Sequence, residues 1–219
     1  MEAILQWDGQ ALLFIQEHIR QVWMDGFWKT ITHLGDAGWF WIILGIVLLI
    51  PKKTRKAGIA ALAALAIGAL ITNVALKNII ARIRPYEVVE GLKLLIEPQS
   101  DFSFPSGHTC ASIGAALAMY PFLERKWGIP LVILAVLISL SRLYVGVHYP
   151  TDVLGGAVVG AFAAWGAVRI VKHGLVRKAK KQKSKMEDRK KRCEADGRIC
   201  FAALFEISCK LKNHSLMET

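Results

Sequence analysis

The chain alternates apolar blocks with short polar breaks, and the blocks have membrane dimensions. From about Ala37 to Ile50 it is almost uniformly apolar, stopping at Pro51-Lys52-Lys53-Thr54-Arg55-Lys56. That run is short for a span and is expected to recruit residues from about His33 or to pack on the N-terminal helices. Residues 57–76 carry no charge and are long enough to cross a hydrocarbon layer. Gly58, Ala60, Ala61, Ala63, Ala64 and Gly68 within them permit close helix contact. Residues 77–104 are polar and interrupted by Pro85, Gly91 and Pro98, which predicts a water-facing loop. A further apolar run covers 109–123 and ends at Glu124-Arg125-Lys126. Pro130 suits the first turn of a helix reaching about Leu140, and residues 153–171 form a last span before a basic stretch opens at Lys172.

The first 35 residues are different. Ile4, Leu5, Leu12, Leu13, Phe14, Ile15, Ile19 and Val22 are interleaved with Glu17, His18, Arg20, Asp25 and Lys29. This mixture predicts a helix or helix pair lying in the interface, with a first span buried against the bundle as the alternative. Trp23, Trp28, Trp39 and Trp41 read as interfacial anchors. The fold expected is all-α: a multi-pass transmembrane bundle of five to six membrane helices with one or more N-terminal amphipathic helices. It divides into an N-terminal segment 1–35, a membrane domain 36–175 and a basic tail 176–219.

Composition supports a membrane class, with 54% hydrophobic residues and a mean hydropathy of +0.38. The net charge of +11 raises the question of nucleic acid, but the cations cluster between and after apolar runs and no nucleic-acid module is present, so none is expected as a partner. The clusters 51–56, 124–126 and 172–192 are separated by two spans each and therefore share a side. They hold 17 Lys and Arg, against 5 on the opposite side, taken as 77–108 plus 141–152. The positive-inside rule makes the basic side, with the tail, cytoplasmic. The cations at 177–192 can meet anionic lipid headgroups, with a solvated helical or disordered tail as the equal alternative. Cys110 falls in an apolar run and reads as a small buried hydrophobe. Cys193, Cys200 and Cys209 lack metal spacing and read as reduced thiols. Residues 199–211 carry a helical apolar stripe, and Asn213-His214-Ser215 is a glycosylation sequon without meaning on a cytoplasmic tail. No secretory signal is evident.

Three stretches at the edges of apolar blocks carry the chemistry, and all fall on the cation-poor side. They are Lys77-x6-Arg84-Pro85, Pro105-Ser106-Gly107-His108, and Ser141-Arg142-x5-His148-x3-Asp152. Each alone has a commonplace reading: a helix-opening turn, snorkelling cations, or a chance His–Asp pair. Together they are complementary. Lys77, Arg84 and Arg142 can clamp a phosphate. Ser106 and Gly107 open a helix whose N–H groups face an anion, with the Ser106 hydroxyl a donor or a cap. Asp152 can hold one ring nitrogen of His148 and leave the other as a nucleophile, while His108 suits the general acid and later the base. The set requires no metal or other cofactor, having no third histidine or paired carboxylate at ligand spacing. Asp101, Tyr86 and Glu87 read as loop residues.

At every defining position these stretches resemble the three signature motifs of the type 2 phosphatidic acid phosphatase family. The resemblance covers roughly residues 35–172 and its short loops look like the small bacterial members. It implies a metal-independent membrane phosphatase working at the outer face through a phosphohistidine on His148, with Asp152 supporting it and His108 as acid and base. Lys77, Arg84, Ser106, Gly107, His108 and Arg142 would bind the phosphate of a lipid phosphate or pyrophosphate. The family's substrates include undecaprenyl pyrophosphate, phosphatidic acid and phosphatidylglycerophosphate. The same motifs resemble vanadium-dependent haloperoxidases, which are not built of lipid spans. A non-catalytic lipid-phosphate binder or transporter is the third reading.

Overall fold

The structure is a computed structural model and describes residues 2–195. The readings made for Cys193, Cys200, Cys209, residues 199–211 and Asn213 fall on side chains or segments outside the described ones. Two compact units are present, Met1–Val171 and Lys172–Thr219.

Nine α-helices follow in order among the described residues. They are α1 (Glu2–Phe14), α2 (Val22–Leu34), α3 (Trp39–Leu49), α4 (Arg55–Ala69), α5 (Lys77–Ile80), α6 (Pro85–Val88), α7 (Gly107–Met119), α8 (Arg125–Tyr144) and α9 (Pro150–Ala195). Wider π-helical turns extend α1 over Ile15–Ile19 and join α4 to α5 over Leu70–Leu76. The 55–88 stretch, α8 and the 150–174 part of α9 are long and apolar enough to cross a membrane. The pair 22–34 and 36–49, bent by 45°, makes a fourth if taken as one broken span. Helix α7, expected among the spans, has 13 residues and is wrapped by its neighbours, with Thr109, Cys110, Ser112 and Gly114 to Ala116 all buried.

Small residues set the spacing of the bundle. Ala57, Ala61, Ala115, Ala116 and Ala135 pack around Trp41 and Ile138 where α3, α4, α7 and α8 meet. Ala60, Ala64, Ala118, Ala164 and Ala167 join α4, α7 and α9. Where α7 crosses α9, a Cβ at Gly156 would stand 2.5 Å from the Ser106 carbonyl oxygen, and one at Gly160 2.7 Å from that of Cys110. Backbone-to-backbone approach of this kind is how small-xxx-small helices associate in lipid. Large apolar side chains such as Ile43, Ile46, Val74, Ile133, Val158 and Phe162 remain exposed on the bundle, as a lipid-facing surface requires.

Two sequence expectations are corrected. Trp41 is no interfacial anchor: it is fully buried and its indole N–H donates to Ser112 Oγ on α7 at 2.9 Å. Periodicity shows that an aromatic lies on a helix but not which neighbour will cover it. Helix α8 starts at Arg125, so Pro130 lies inside it and not at its first turn. The carbonyl that this proline leaves without an N–H partner is that of Lys126, in the opening turn, where the chain is exposed. By contrast Pro150 does open α9, and Cys110 is buried as expected.

The N-terminal segment packs into the first unit. Asp8 and Leu12 are buried, Trp28 stacks on Tyr144 at 5.2 Å, and α2 lies against α8. Gln16 donates to Gly91 O and accepts from Lys93 N, while Arg20 donates to Lys93 O, so the segment is tied to the 89–104 loop.

Candidate active site

Local backbone features bring the first cluster inward. The π-helical stretch before α5 turns the chain less per residue than an α-helix, and wider turns of this kind recur at functional sites. Lys77 emerges from it buried. Ala81 then takes the left-handed conformation (φ 46°) and ends α5, sending Arg82 and Arg84 back towards the bundle. Both cations of this motif close on Asp101: Lys77 Nζ on one carboxylate oxygen, Arg84 Nη2 on the other. Arg84 Nε donates to Asp101 O at 2.8 Å and Nη1 to Val147 O at 2.9 Å. Asp101, read from sequence as a loop residue, is thus part of the cluster. Burial pushes its carboxyl up, but Lys77 and Arg84 outweigh this and hold it at about 2.

Ser106 caps α7, its hydroxyl oxygen accepting from Thr109 N at 3.4 Å, and its own N–H donates to Asp152 O at 3.0 Å. Gly107 follows, where a Cβ would lie 3.7 Å from Lys77 Nζ. His108 Nε2 lies 2.9 Å from Asp36 Oδ1, and the other oxygen of Asp36 lies 2.8 Å from His33 Nδ1. Asp36 sits in the bend between α2 and α3. There Gly35 lets the imidazole lie against the backbone: a Cβ would stand 2.6 Å from His108 Cδ2.

His148 is buried in the turn between α8 and α9. Its Nδ1 faces Asp152 Oδ2 and Ser103 Oγ, both at 3.5 Å, and its Nε2 faces Arg84 Nη1 at 3.4 Å. Burial pushes the imidazole down; Asp152 opposes this, Arg142 and Arg84 add to it, and the result is about 3. Asp152 Oδ2 accepts from Ser103 Oγ at 2.5 Å and Tyr149 N at 2.9 Å. Arg142, in the last turn of α8, donates from Nη1 to Thr32 Oγ1 at 2.7 Å. Its buried Nε has no partner among the described residues, which leaves a donor for an anion.

All eight residues singled out from the motifs are therefore gathered: Lys77 with Arg84 on Asp101, Ser106 on Asp152, Asp152 by His148, and Arg142 within electrostatic reach of both histidines. Sequence reasoning missed Asp36, Asp101, Ser103 and Thr32. Each is remote in sequence from its partner, although Asp36 and Asp101 were visible as carboxylates beside apolar blocks. Lys77, Asp101, Gly107 and His108 also line a cavity of about 670 Å³. Ile42, Leu62, Leu65, Ala66, Gly68 and Ala69 of α3 and α4 and Ala111 of α7 line it together with the polar Thr72, Asn73, Gln99 and Ser100.

Fold and site together define an all-helical protein with membrane-spanning helices and a buried cluster of cations, histidines and carboxylates. The chain belongs to the PAP2 superfamily, whose sequence pattern is matched by residues 57–174. Among similar proteins are an undecaprenyl-diphosphatase of Sulfolobus acidocaldarius, 37% identical over 63% of this chain and 66% of that one, and undecaprenyl-diphosphatase BcrC of Bacillus subtilis, 39% identical over 62% and 69%. The chain thus spans about two thirds of the length of these relatives. The structure is similar to that of a transmembrane PAP2-type phosphatidylglycerolphosphate phosphatase from Bacillus subtilis, with a TM-score of 0.60 and 30% identity over 81% of this chain and 86% of that one.

Proposed function

We propose that the protein is a lipid phosphatase that hydrolyses a lipid phosphate or pyrophosphate through a phosphohistidine on His148, without a metal. The observation that carries this reading is the buried cluster of Lys77, Arg84, His148 and Asp152, whose Lys77 also lines, with His108, a cavity bounded by apolar side chains of α3 and α4. A phosphate held by Lys77, Arg84, Arg142 and the α7 N-terminus displaces Asp101, while the lipid's apolar part lies against α3 and α4. His148 Nε2 attacks phosphorus in line, and the bond to the leaving oxygen breaks. His108 gives that oxygen a proton from the nitrogen that Asp36 does not hold. Water then attacks phosphorus, His108 takes its proton, the P–N bond breaks and phosphate leaves. With a pyrophosphate, the first leaving group is the lipid monophosphate.

The cation-poor side that carries the site is the outer face in this reading, and the basic tail is cytoplasmic. The test is phosphate release in detergent micelles from undecaprenyl pyrophosphate, phosphatidic acid and phosphatidylglycerophosphate, with His148→Ala in parallel. Release by the wild type from at least one lipid, abolished in the variant, is expected. No release from any of them, or release unaffected by the substitution, contradicts the reading.

A further inference from the structure

Arg82 lies outside the phosphate-binding set, and Asp8 lies outside the 57–174 stretch that matches the family. Both are built into the back of the site. Arg82 forks between two fully buried carboxylates: Nη1 donates to Asp152 Oδ1 and Nη2 to Asp8 Oδ2, each at 2.7 Å. Its guanidinium carbon lies 3.9 Å from the centre of the Tyr149 ring, and Nη1 also donates to Thr151 Oγ1 at 2.6 Å. Asp8 reaches the same turn directly, accepting from the Thr151 hydroxyl and, at 3.2 Å, from Thr151 N. Helix α1 thus supplies the carboxylate that caps the opening turn of α9.

The division of labour on Asp152 is informative. Oδ2 serves His148, Ser103 and Tyr149 N, while Oδ1 is held by Arg82. An arginine alone on Oδ1 would neutralise Asp152 and weaken its pull on the imidazole. Asp8 offsets that cation, so Asp8, Arg82 and Asp152 together keep one negative charge behind His148. Arg84 and Arg142 act on His148 as cations. The net charge behind the ring decides how readily it carries the positive charge that develops on attack.

The geometry points to Asp8 and Arg82 as positioning residues that set the charge and orientation of Asp152, making the N-terminal helix part of the catalytic apparatus. This rests on the reading of His148 as the nucleophile. Two substitutions that keep hydrogen-bonding shape but alter charge separate it from a purely structural lock. Asp8→Asn removes a negative charge, leaving Arg82 to neutralise Asp152. Arg82→Gln removes the cation and leaves two carboxylates unopposed.

The experiment is the pH profile of kcat/KM for phosphate release from a lipid phosphate hydrolysed by the wild type, in micelles. Thermal unfolding is recorded for each variant. The substrate's own titration is common to all three proteins. The acid limb, which reports the free base, is expected to move down in Asp8→Asn and up in Arg82→Gln. Each shift should be at least about half a unit, below the roughly one to three units of a charge in direct contact. A structural lock predicts lower stability in both without opposite limb shifts. Limbs that stay put, or move the same way, overturn the inference while wild-type turnover keeps the functional reading intact. If one variant does not fold, the direction of the other decides. A wild type that releases no phosphate sinks the reading of the site itself.

Discussion

Lys77 and Arg84 close on the half-exposed Asp101 carboxylate, and under the proposed function Asp101 competes with the substrate's phosphate for them. Asp101→Asn removes the competing charge and should tighten inhibition by inorganic phosphate by about three- to tenfold, a gain of roughly 1 kcal/mol, as expected for a partly solvated ion pair. A Ki that is unchanged or weaker argues that Asp101 organises the cations instead of blocking them. His148 makes a prediction with a definite sign. Its folded value of about 3 lies below the ordinary histidine range, so between about pH 6.5 and 3 the unfolded chain binds a proton that the folded chain does not. Folding stability should therefore fall as pH falls through that window. Asp101 adds to the loss only lower, between its ordinary value and about 2. Thermal unfolding in detergent between pH 7 and 4 checks this: His148→Gln should flatten the slope, and an equally steep variant would show that other groups set it.

At the scale of elements, two glycines hold the site in register. Gly35 lets His108 lie against the bend between α2 and α3, and Gly156 lets α9 pass the Ser106 carbonyl. Gly35→Ala should displace the His108 ring and lower kcat by at least about tenfold, within the range of a lost general acid, with KM little changed. A kcat within a factor of two of wild type would show that the ring has room to adjust. Gly156→Ala meets backbone and not a flexible side chain, so it should cost about 1–3 kcal/mol of stability through overpacking, seen as a lower unfolding midpoint. These elements also show what the sequence could and could not reveal. The spans 57–76 and 153–171 were legible because hydrophobic runs bounded by cations are written locally. The extension of α8 back through Pro130 was not, since the carbonyl that the proline leaves without an N–H partner lies in the exposed opening turn. The burial of Trp41 depends on α7, and the His108–Asp36 contact joins residues 72 apart in sequence. Neither leaves a local signal, whereas the eight motif residues could be found because their spacing within each stretch is short.

Across the whole molecule, the bundle brings three distant stretches together, and residues ahead of α3 join them through Asp8, Thr32 and Asp36. The mixed polarity of residues 1–35 signalled a segment that is not simply lipid-facing. It did not reveal that Asp8 would be fully buried on Arg82, although a carboxylate within an apolar stretch is a signal of its own. Covalent catalysis by His148 leaves a phosphorylated protein that can be trapped. A lipid pyrophosphate or phosphate labelled at its terminal phosphorus is mixed with the protein, with His108→Ala used to slow hydrolysis, and the reaction is quenched in base. An acid-labile, base-stable label is expected on the peptide containing His148, absent in His148→Ala. Phosphate release with no protein-bound label, or with the label on another residue, contradicts it.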